Sequence, residues 1–219
     1  MSTQRKIVIS LEGSIGVGKS TLLKMLKEKY QSKVIFVDEP VNIWTNIKNN
    51  DGKNLLETFY TDMKRYAYTF QNIAYITRMK LLLESLKNDN IHVIISERSL
   101  DGDKNTFTKM LHEDGCINEL EMSCYQEWSN FFTKEFSSNI DFYHIFLTCQ
   151  PQTSFERIHK RNRTGEEGIP LVYLTRLQKC HEDWLQSNEN TLIFDVNEDF
   201  TKGEDERLQK VSKFIEKFL

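Results

Sequence analysis

The sequence contains few cysteines and histidines, and their spacing does not indicate a disulfide framework or a metal site. Four of the 219 residues are cysteines, at positions 116, 124, 149 and 180, and no two form a Cys-x-x-Cys pair. The five histidines form no His-x-x-x-His pair. A disulfide framework and a zinc site are therefore not indicated, and we expect free thiols in a reducing compartment.

The sequence also lacks an excess of one charge and long apolar runs. Its 29 basic and 32 acidic residues give a net charge of −3, and no dense Lys/Arg block suggests a face for nucleic acid. No apolar run approaches the length of a membrane span, and the few polar residues after Met1 leave no room for a signal peptide. We expect a cytoplasmic protein without nucleic-acid or membrane partners, with a leader on a longer precursor as the alternative.

One stretch near the start of the chain has the pattern of a phosphate-binding loop. Residues 13–21 match the phosphate-binding pattern Gly-x4-Gly-Lys-[Ser/Thr], between an apolar run and a helical pattern. Glycines let backbone N–H groups point at phosphate oxygens, Lys19 can reach the terminal phosphates, and Ser20 can offer a hydroxyl to Mg²⁺. A tight connection without a ligand is the alternative. The pattern predicts that a nucleoside triphosphate binds at Gly13, Ser14, Ile15, Gly16, Val17, Gly18, Lys19, Ser20 and Thr21.

Short apolar runs alternate with helical patterns along the chain. The predicted strands lie at 6–11, 34–37, 92–96, 143–148 and 191–195. The predicted helices lie at about 62–86, 104–112 and 119–136, from Pro151 to near Arg163, from Pro170, and around 208–218. Because the strands are separated by more than a hairpin, we expect a five-stranded parallel sheet flanked by helices, in one α/β P-loop domain over residues 1–219.

The sequence argues against two common classes of triphosphate-binding protein, GTPase switches and transport or remodelling ATPases. A GTPase switch would carry Asp-x-x-Gly and Asn-Lys-x-Asp, and neither is present. A transport or remodelling ATPase would end its metal-holding strand in Asp or Asp-Glu, whereas the strand at 92–96 is followed by Glu97 and Arg98. Glu39 follows the strand at 34–37, and ligands bind at this edge of open α/β sheets.

An ordered set of short stretches resembles the deoxyribonucleoside kinase family, and most closely its deoxycytidine/deoxyguanosine kinase branch. The stretches are 13–21, Glu39-Pro40-Val41 with Trp44, Phe70-Gln71 with Arg78, Glu97-Arg98-Ser99 with Asp103, Arg157, Arg161 and Arg163, 168–171, and 195–200. The resemblance implies a P-loop kinase that uses ATP or UTP with Mg²⁺, phosphorylates the 5′-hydroxyl of a deoxynucleoside for DNA precursor salvage, and forms a homodimer.

Phosphorylating a sugar hydroxyl requires a carboxylate for its proton and cations for the phosphates. Glu39 and Glu97 are the candidates. The resemblance implies that Glu39 faces the 5′-hydroxyl, that Glu97 lies by Mg²⁺ together with Ser20, and that Arg98 bridges the hydroxyl and the phosphates. We favour Glu39 as the proton acceptor, with Glu97 in that role as the alternative.

Three arginines near the middle of the chain are candidates for the phosphates. Arg157 and Arg161 are four residues apart on one predicted helix face, and Arg163 follows. A solvated helix face would explain the spacing equally well. The resemblance implies an arginine lid at about 157–168 that excludes water. It also implies that Asp195, Val196 and Asn197 lie beside the donor base.

The predicted helix at 62–86 carries candidates for the acceptor. Gln71, Ala74 and Arg78 share one stripe, and a glutamine amide can pair with a base edge. An ionised Asp103, oriented by Arg78, would accept from an exocyclic amino group and repel the thymine carbonyl, so we expect deoxycytidine or deoxypurines to be preferred over thymidine. Trp44, Phe59, Phe70 and Phe107 could sandwich the base, with core packing as the alternative. The resemblance implies that Tyr60 and Glu166, or Glu167 in place of Glu166, hold the 3′-hydroxyl.

Two other functions remain open from the sequence. Thymidylate kinases share the phosphate loop and an arginine lid, but they need a cationic pocket for the phosphate of the acceptor. A nucleotide-dependent binding or switch module would bind ATP without phosphorylating any nucleoside.

Overall fold

The computed structural model describes residues 5–137, 139–163, 166, 168–202 and 205–219. Within these residues the strands are β1 (Lys6–Glu12), β2 (Ile35–Val37), β3 (Val93–Glu97), β4 (Ile140–Thr148) and β5 (Thr191–Asp195). They form one five-stranded sheet in the order β2-β3-β1-β4-β5, and every neighbouring pair is parallel. The predicted α/β architecture is therefore confirmed.

Helices cover both faces of this sheet. They are α1 (Lys19–Tyr30), α2 (Val41–Asn46), α3 (Leu55–Thr61), α4 (Met63–Leu86), α5 (Leu100–Gly102), α6 (Lys109–Glu113), α7 (Glu119–Ser137), α8 (Pro151–Arg161), α9 (Leu171–Leu185) and α10 (Glu206–Glu216). A 3₁₀ turn (Gln31–Lys33) follows α1, and a π turn (Asp103–Thr108) joins α5 to α6.

The structure corrects two helix predictions and adds helices that were not predicted. The helix predicted at 104–112 is divided, because residues 103–108 form a π turn. The helix predicted to end near Arg163 ends at Arg161, where Asn162 takes a left-handed conformation with φ of 49°. The sequence analysis missed α2 and α3, although Asn54 and Glu57 form a capping box that marks the start of α3.

Apolar packing on each face fixes the sheet between its helices. Ile9 and Leu11 point to one side and share a buried cluster with Leu22 of α1 and Ile215 of α10. Val8 points to the other side, in a cluster with Leu82 of α4. Since strands buried on both faces read as continuous apolar runs, β1 and β3 could be recognised in the sequence. No helix in the described part of the chain is both long and apolar enough to cross a membrane.

The strand register brings the chemically important segments to one edge of the sheet. Leu11 of β1 pairs with Glu97 at the end of β3, so the phosphate loop after β1 starts beside Glu97. Val37 of β2 pairs with Ser96 of β3, which brings Glu39 to the same edge. The three loops that follow β1, β2 and β3 therefore converge, as expected for the carboxyl ends of parallel strands.

Candidate active site

The loop between β1 and α1 has the backbone of a phosphate cradle. Gly13, Gly16 and Gly18 have φ values of 138°, 81° and 103°, which side chains other than glycine rarely adopt. A Cβ atom on Gly16 would also lie 2.8 Å from the carbonyl oxygen of Ser154. The α1 helix begins directly after this loop, so its free N–H groups and the positive end of its dipole face the cradle.

Lys19 is buried beneath the loop. Its Nζ donates to the carbonyl oxygens of Ser14 at 2.8 Å and Gly13 at 3.2 Å. Burial, together with the positive charge of Arg98 nearby, lowers the pKa of Lys19 to about 7. An anion in the cradle would favour the charged form of this lysine and raise its pKa again.

Ser20 and Glu97 together present oxygen atoms beside the cradle. Ser20 Oγ donates to Glu97 Oε1 at 2.8 Å. Burial raises the pKa of Glu97, and the negative charge of Glu39 adds to the rise. A hydroxyl and a carboxylate oxygen are the donors that Mg²⁺ prefers, so this pair fits the predicted metal site.

Glu39 is held by two arginines. Its Oε1 accepts from Arg78 at 2.5 Å and from Arg98 Nε at 3.1 Å. Burial alone would raise the pKa of Glu39, but the charges of Arg98, Arg78 and Lys19 outweigh this effect and lower it to about 2. Glu39 is therefore a carboxylate over the whole physiological pH range.

Arg98 connects Glu39 to the phosphate cradle. Its guanidinium donates to Glu39 through Nε and to the carbonyl oxygen of Gly13 through the NH1 nitrogen, at 2.9 Å. The guanidinium also stacks over the Phe107 ring, 4.5 Å from its centroid. Arg98 has a φ of 65°, unusual for a residue with a side chain, and such strain is concentrated at functional sites.

One cavity of about 430 Å³ joins the cradle to these residues. Residues 15–21 line one end. The other predicted site residues on its wall are Glu39, Trp44, Tyr60, Phe70, Gln71, Ala74, Arg78, Glu97, Arg98, Asp103, Phe107, Arg157, Arg161, Arg163 and Glu166. Six predicted residues do not line it: Gly13, Ser14, Phe59, Asp195, Val196 and Asn197.

The far end of the cavity is formed mainly by α4 and the π turn. Both oxygens of Asp103 accept from one Arg78 nitrogen at 2.6 Å. Burial raises the pKa of Asp103 to about 6, although the charge of Arg78 opposes the rise. Phe59 stacks on the Phe70 ring from behind, with centroids 4.6 Å apart, so it supports the wall and does not face the cavity.

The predicted lid residues are divided between two sets of contacts. Arg157 donates to the carbonyl oxygens of Val196 at 2.8 Å and Asn197 at 3.3 Å, so the 195–197 segment anchors this arginine. Arg161 and Arg163 both form ion pairs with Glu166. Of the predicted 157–168 lid, positions 164, 165 and 167 lie outside the described residues, so the choice between Glu166 and Glu167 stays a prediction.

Several cavity-lining residues were not predicted. Val41 and Leu56 belong to α2 and α3, and the capping box at Asn54 was the available signal for the second of these helices. Asp199, Phe200 and Thr201 also line the cavity near the cradle. Phe200 lies close to Gly18, where a Cβ atom would be 3.2 Å from its ring. No spacing in the sequence indicated this contact, since it depends on the loop after β5.

The fold and the site together define a P-loop protein in which a phosphate cradle faces an arginine-bound carboxylate. The family model for deoxynucleoside kinases matches residues 9–219. The chain is 34% identical to the mitochondrial deoxyguanosine kinase of Xenopus laevis, over 94% of this chain and 89% of that protein. It is 33% identical to deoxycytidine kinase of Homo sapiens (94% and 90% covered) and 37% identical to deoxycytidine kinase 2 of Gallus gallus (88% and 83% covered).

The chain therefore belongs to the deoxynucleoside kinase family. This confirms the resemblance found in the sequence and the assignment to phosphotransferases.

Proposed function

We propose that this protein transfers the terminal phosphate of ATP or UTP to the 5′-hydroxyl of a deoxyribonucleoside, with Mg²⁺. The observation that carries the proposal is the position of Arg98, which bonds Glu39 on one side and the Gly13 carbonyl on the other within a single cavity. A sugar hydroxyl beside Glu39 would thus lie next to the phosphates in the cradle.

Glu39 acts as the proton acceptor in this proposal. Its low pKa makes it a weak base, but phosphoryl transfer passes through a loose transition state in which the hydroxyl is deprotonated late. An ionised carboxylate then orients the hydroxyl and takes its proton as the new bond forms. Arg98 holds this carboxylate in place and stabilises charge on the transferred group.

Lys19, Ser20 and Glu97 act on the donor. Lys19 binds the terminal phosphates, and Ser20 and Glu97 would hold Mg²⁺, which neutralises phosphate charge when bound. The alternative, with Glu97 as the proton acceptor, is less well supported because its carboxylate is bonded to Ser20 beside the cradle. Arg157, Arg161 and Arg163 close over the phosphates and exclude water.

The acceptor base lies between the apolar wall and the polar groups of α4 and the π turn. Gln71 and the Arg78–Asp103 pair face its edge, and Trp44, Phe70 and Phe107 pack against its faces. Tyr60 and Glu166 bind the 3′-hydroxyl. The carboxylate of Asp103 favours an amino group over the thymine carbonyl, so deoxycytidine and deoxypurines are preferred over thymidine.

A thymidylate kinase is less well supported by the same cavity. It would need free cations at the acceptor end for a second phosphate. Arg78 and Arg98, which lie beside the proposed acceptor, are already engaged: Arg78 is paired with Glu39 and Asp103, and Arg98 with Glu39.

We also propose a homodimer. Ile76 on α4 and Phe131 on α7 are large apolar side chains that are 45% and 59% exposed, on two helices that pack together through Tyr75 and Tyr125. Sedimentation equilibrium tests this state directly, and a monomer at micromolar concentration would contradict it.

A radiometric panel tests the activity. The four deoxynucleosides and their 5′-monophosphates are incubated with labelled ATP and Mg²⁺, and again with UTP. The proposal expects labelled deoxynucleoside 5′-monophosphates. Phosphorylation of dTMP but of no nucleoside would identify a thymidylate kinase, and ATP binding without any product would identify a binding module.

A further inference from the structure

We propose that Glu12, at the end of β1, is a positioning residue that holds Arg98 in its active conformation by packing against the turn from Arg98 to Gly102. This inference rests on the proposed kinase function, in which Arg98 connects the acceptor to the phosphate cradle. It assigns a role to a side chain that does not line the cavity.

Glu12 is a carboxyl group in the core of the protein. The residue is completely buried, and neither of its carboxyl oxygens has a hydrogen-bond partner in the described part of the chain. Because successive side chains of a strand alternate, Glu12 points to the face of the sheet opposite Leu11, away from α1. Burial raises the pKa of Glu12, although the charges of Arg98 and Lys19 oppose the rise. A buried carboxyl group without hydrogen-bond donors is more stable as the uncharged acid.

The group that Glu12 contacts is the backbone of Gly102 in α5. A Cβ atom on Gly102 would lie 2.6 Å from Glu12 Oε2 and 3.1 Å from Glu12 Oε1, so the carboxyl group rests directly against this glycine. Gly102 has a φ of −59° and a ψ of −46°, a helical conformation that any residue adopts. Glycine destabilises a helix relative to alanine, so the backbone conformation does not explain why glycine is present. The close approach of Glu12 does explain it.

Adjacent residues of β1 hold both ends of the turn. The Arg98 N–H donates to the carbonyl oxygen of Leu11 at 3.0 Å, and the Glu12 carboxyl group packs on Gly102 four residues further along the chain. Within the turn, the Gly102 N–H donates to Ser99 Oγ at 2.9 Å. The stretch from Arg98 to Gly102 is therefore fixed to the strand that leads into the phosphate loop.

Arg98 needs this support because its backbone is strained. A φ of 65° is unfavourable for a residue with a side chain and persists only where the surrounding structure holds it. From this conformation its guanidinium reaches the Gly13 carbonyl oxygen at 2.9 Å and Glu39 at 3.1 Å. If the turn relaxes, both contacts are misplaced, and a misplacement of about 1 Å can cost about 10²-fold in rate. Glu12 thus acts on the transfer step through Arg98.

The first test measures kcat and the affinity for ATP in Glu12→Ala, Glu12→Gln and Gly102→Ala. Glu12→Ala removes the support, and Gly102→Ala displaces the carboxyl group with a methyl group. Both should lower kcat about ten- to a hundredfold with little change in ATP affinity, because the cradle keeps its own contacts. Glu12→Gln is the matched control. It keeps the shape of the side chain and is uncharged, so it should retain most of the wild-type rate.

A double-variant cycle separates positioning from a general loss of packing. In an Arg98→Ala background, Glu12→Ala should lower kcat much less than it does in the wild type, because the residue through which it acts is absent. Three results would overturn the inference: a loss of equal size in both backgrounds, an unchanged kcat in Glu12→Ala and Gly102→Ala, or a Glu12→Gln protein as slow as Glu12→Ala.

Crystal structures of the wild type and Glu12→Ala test the same inference without an activity measurement. Arg98 of the variant should leave the left-handed region and lose its bond to the Gly13 carbonyl oxygen, whereas an unmoved Arg98 would count against the inference. If Glu12→Ala does not fold, Gly102→Ala takes its place in this comparison. If the wild type phosphorylates no nucleoside, the proposed function fails, and these structures alone decide the positioning role of Glu12.

Discussion

Arg78 is the residue whose removal should disturb the site most measurably. Its guanidinium contacts Asp103 at 2.6 Å and Glu39 at 2.5 Å, and Asp103 is only 2% exposed. Arg78→Met leaves the Asp103 carboxylate buried without a partner. Breaking a buried ion pair in this way costs about 3–5 kcal/mol, a large part of the roughly 5–15 kcal/mol that stabilises a typical domain.

The pH dependence of this loss follows from Asp103. Burial already raises its pKa to about 6 in the presence of Arg78, and removing that positive charge raises it further. A carboxyl group whose pKa is raised by folding favours the folded state at low pH and loses that contribution as the pH rises through its folded pKa. The loss of stability in the variant should therefore grow above pH 6, by up to about 1.4 kcal/mol per pH unit, on top of the loss of the Arg78–Glu39 contact, which is already present at pH 5.

Urea unfolding at pH 5 and pH 8 measures this difference directly. Arg78→Lys, which keeps the positive charge but not the planar guanidinium group, should lose less stability than Arg78→Met. The double variant Arg78→Met/Asp103→Leu removes both charges of the pair and should regain at least half of the lost stability, while relaxing the preference against thymidine. A loss that is independent of pH, or a double variant as unstable as the single one, would refute the reasoning.

Two further predictions concern the lid and the cradle. Glu166→Gln should raise the KM for deoxycytidine about three- to tenfold, because a charged acceptor of the 3′-hydroxyl is lost, and should leave 2′,3′-dideoxycytidine, which lacks that hydroxyl, almost unaffected. Equal effects on both nucleosides would mean that Glu166 does not bind the 3′-hydroxyl. Because the pKa of Lys19 is about 7 in the free protein, nucleotide binding should take up a proton. The affinity for the nucleotide should therefore decrease as the pH rises above 7, approaching a tenfold loss for each pH unit. Calorimetry in buffers of different ionisation enthalpy measures this uptake, Lys19→Arg should abolish it, and uptake that is equal in both proteins would contradict the assignment.

Much of the site could be predicted because its determinants are local in sequence. The cradle is set by glycine and lysine spacing between a strand and a helix. Glu39 and Glu97 follow apolar runs, and parallel strands bring their carboxyl ends to one edge. Gln71 and Arg78 share a stripe of α4 because seven residues make about two helical turns. Residue spacing within one segment, together with the convergence of the carboxyl ends of parallel strands, was therefore sufficient to predict these positions.

The remaining features depend on tertiary contacts that spacing does not encode. The π turn at 103–108 has no residue signature, yet Asp103 at its start bonds Arg78 of α4. Phe59 was predicted to pack on the base, with core packing as the alternative; its ring stacks on Phe70 and does not line the cavity, which depends on the orientation of α3. The ion pairs of Arg161 and Arg163 with Glu166 depend on how the chain turns after α8.

The central claim, that Glu39 accepts the proton of the sugar hydroxyl beside the cradle, is tested most directly by rapid-quench phosphoryl transfer with Glu39→Gln. The amide keeps the shape of the side chain but cannot take a proton, so the rate should fall about 10²–10⁴-fold at saturating nucleoside, with ATP affinity unchanged. Glu97→Gln is the matched control. Raising the Mg²⁺ concentration should partly restore the transfer rate of Glu97→Gln, but should not restore that of Glu39→Gln. A Glu39→Gln protein that transfers phosphate at the wild-type rate would contradict the account.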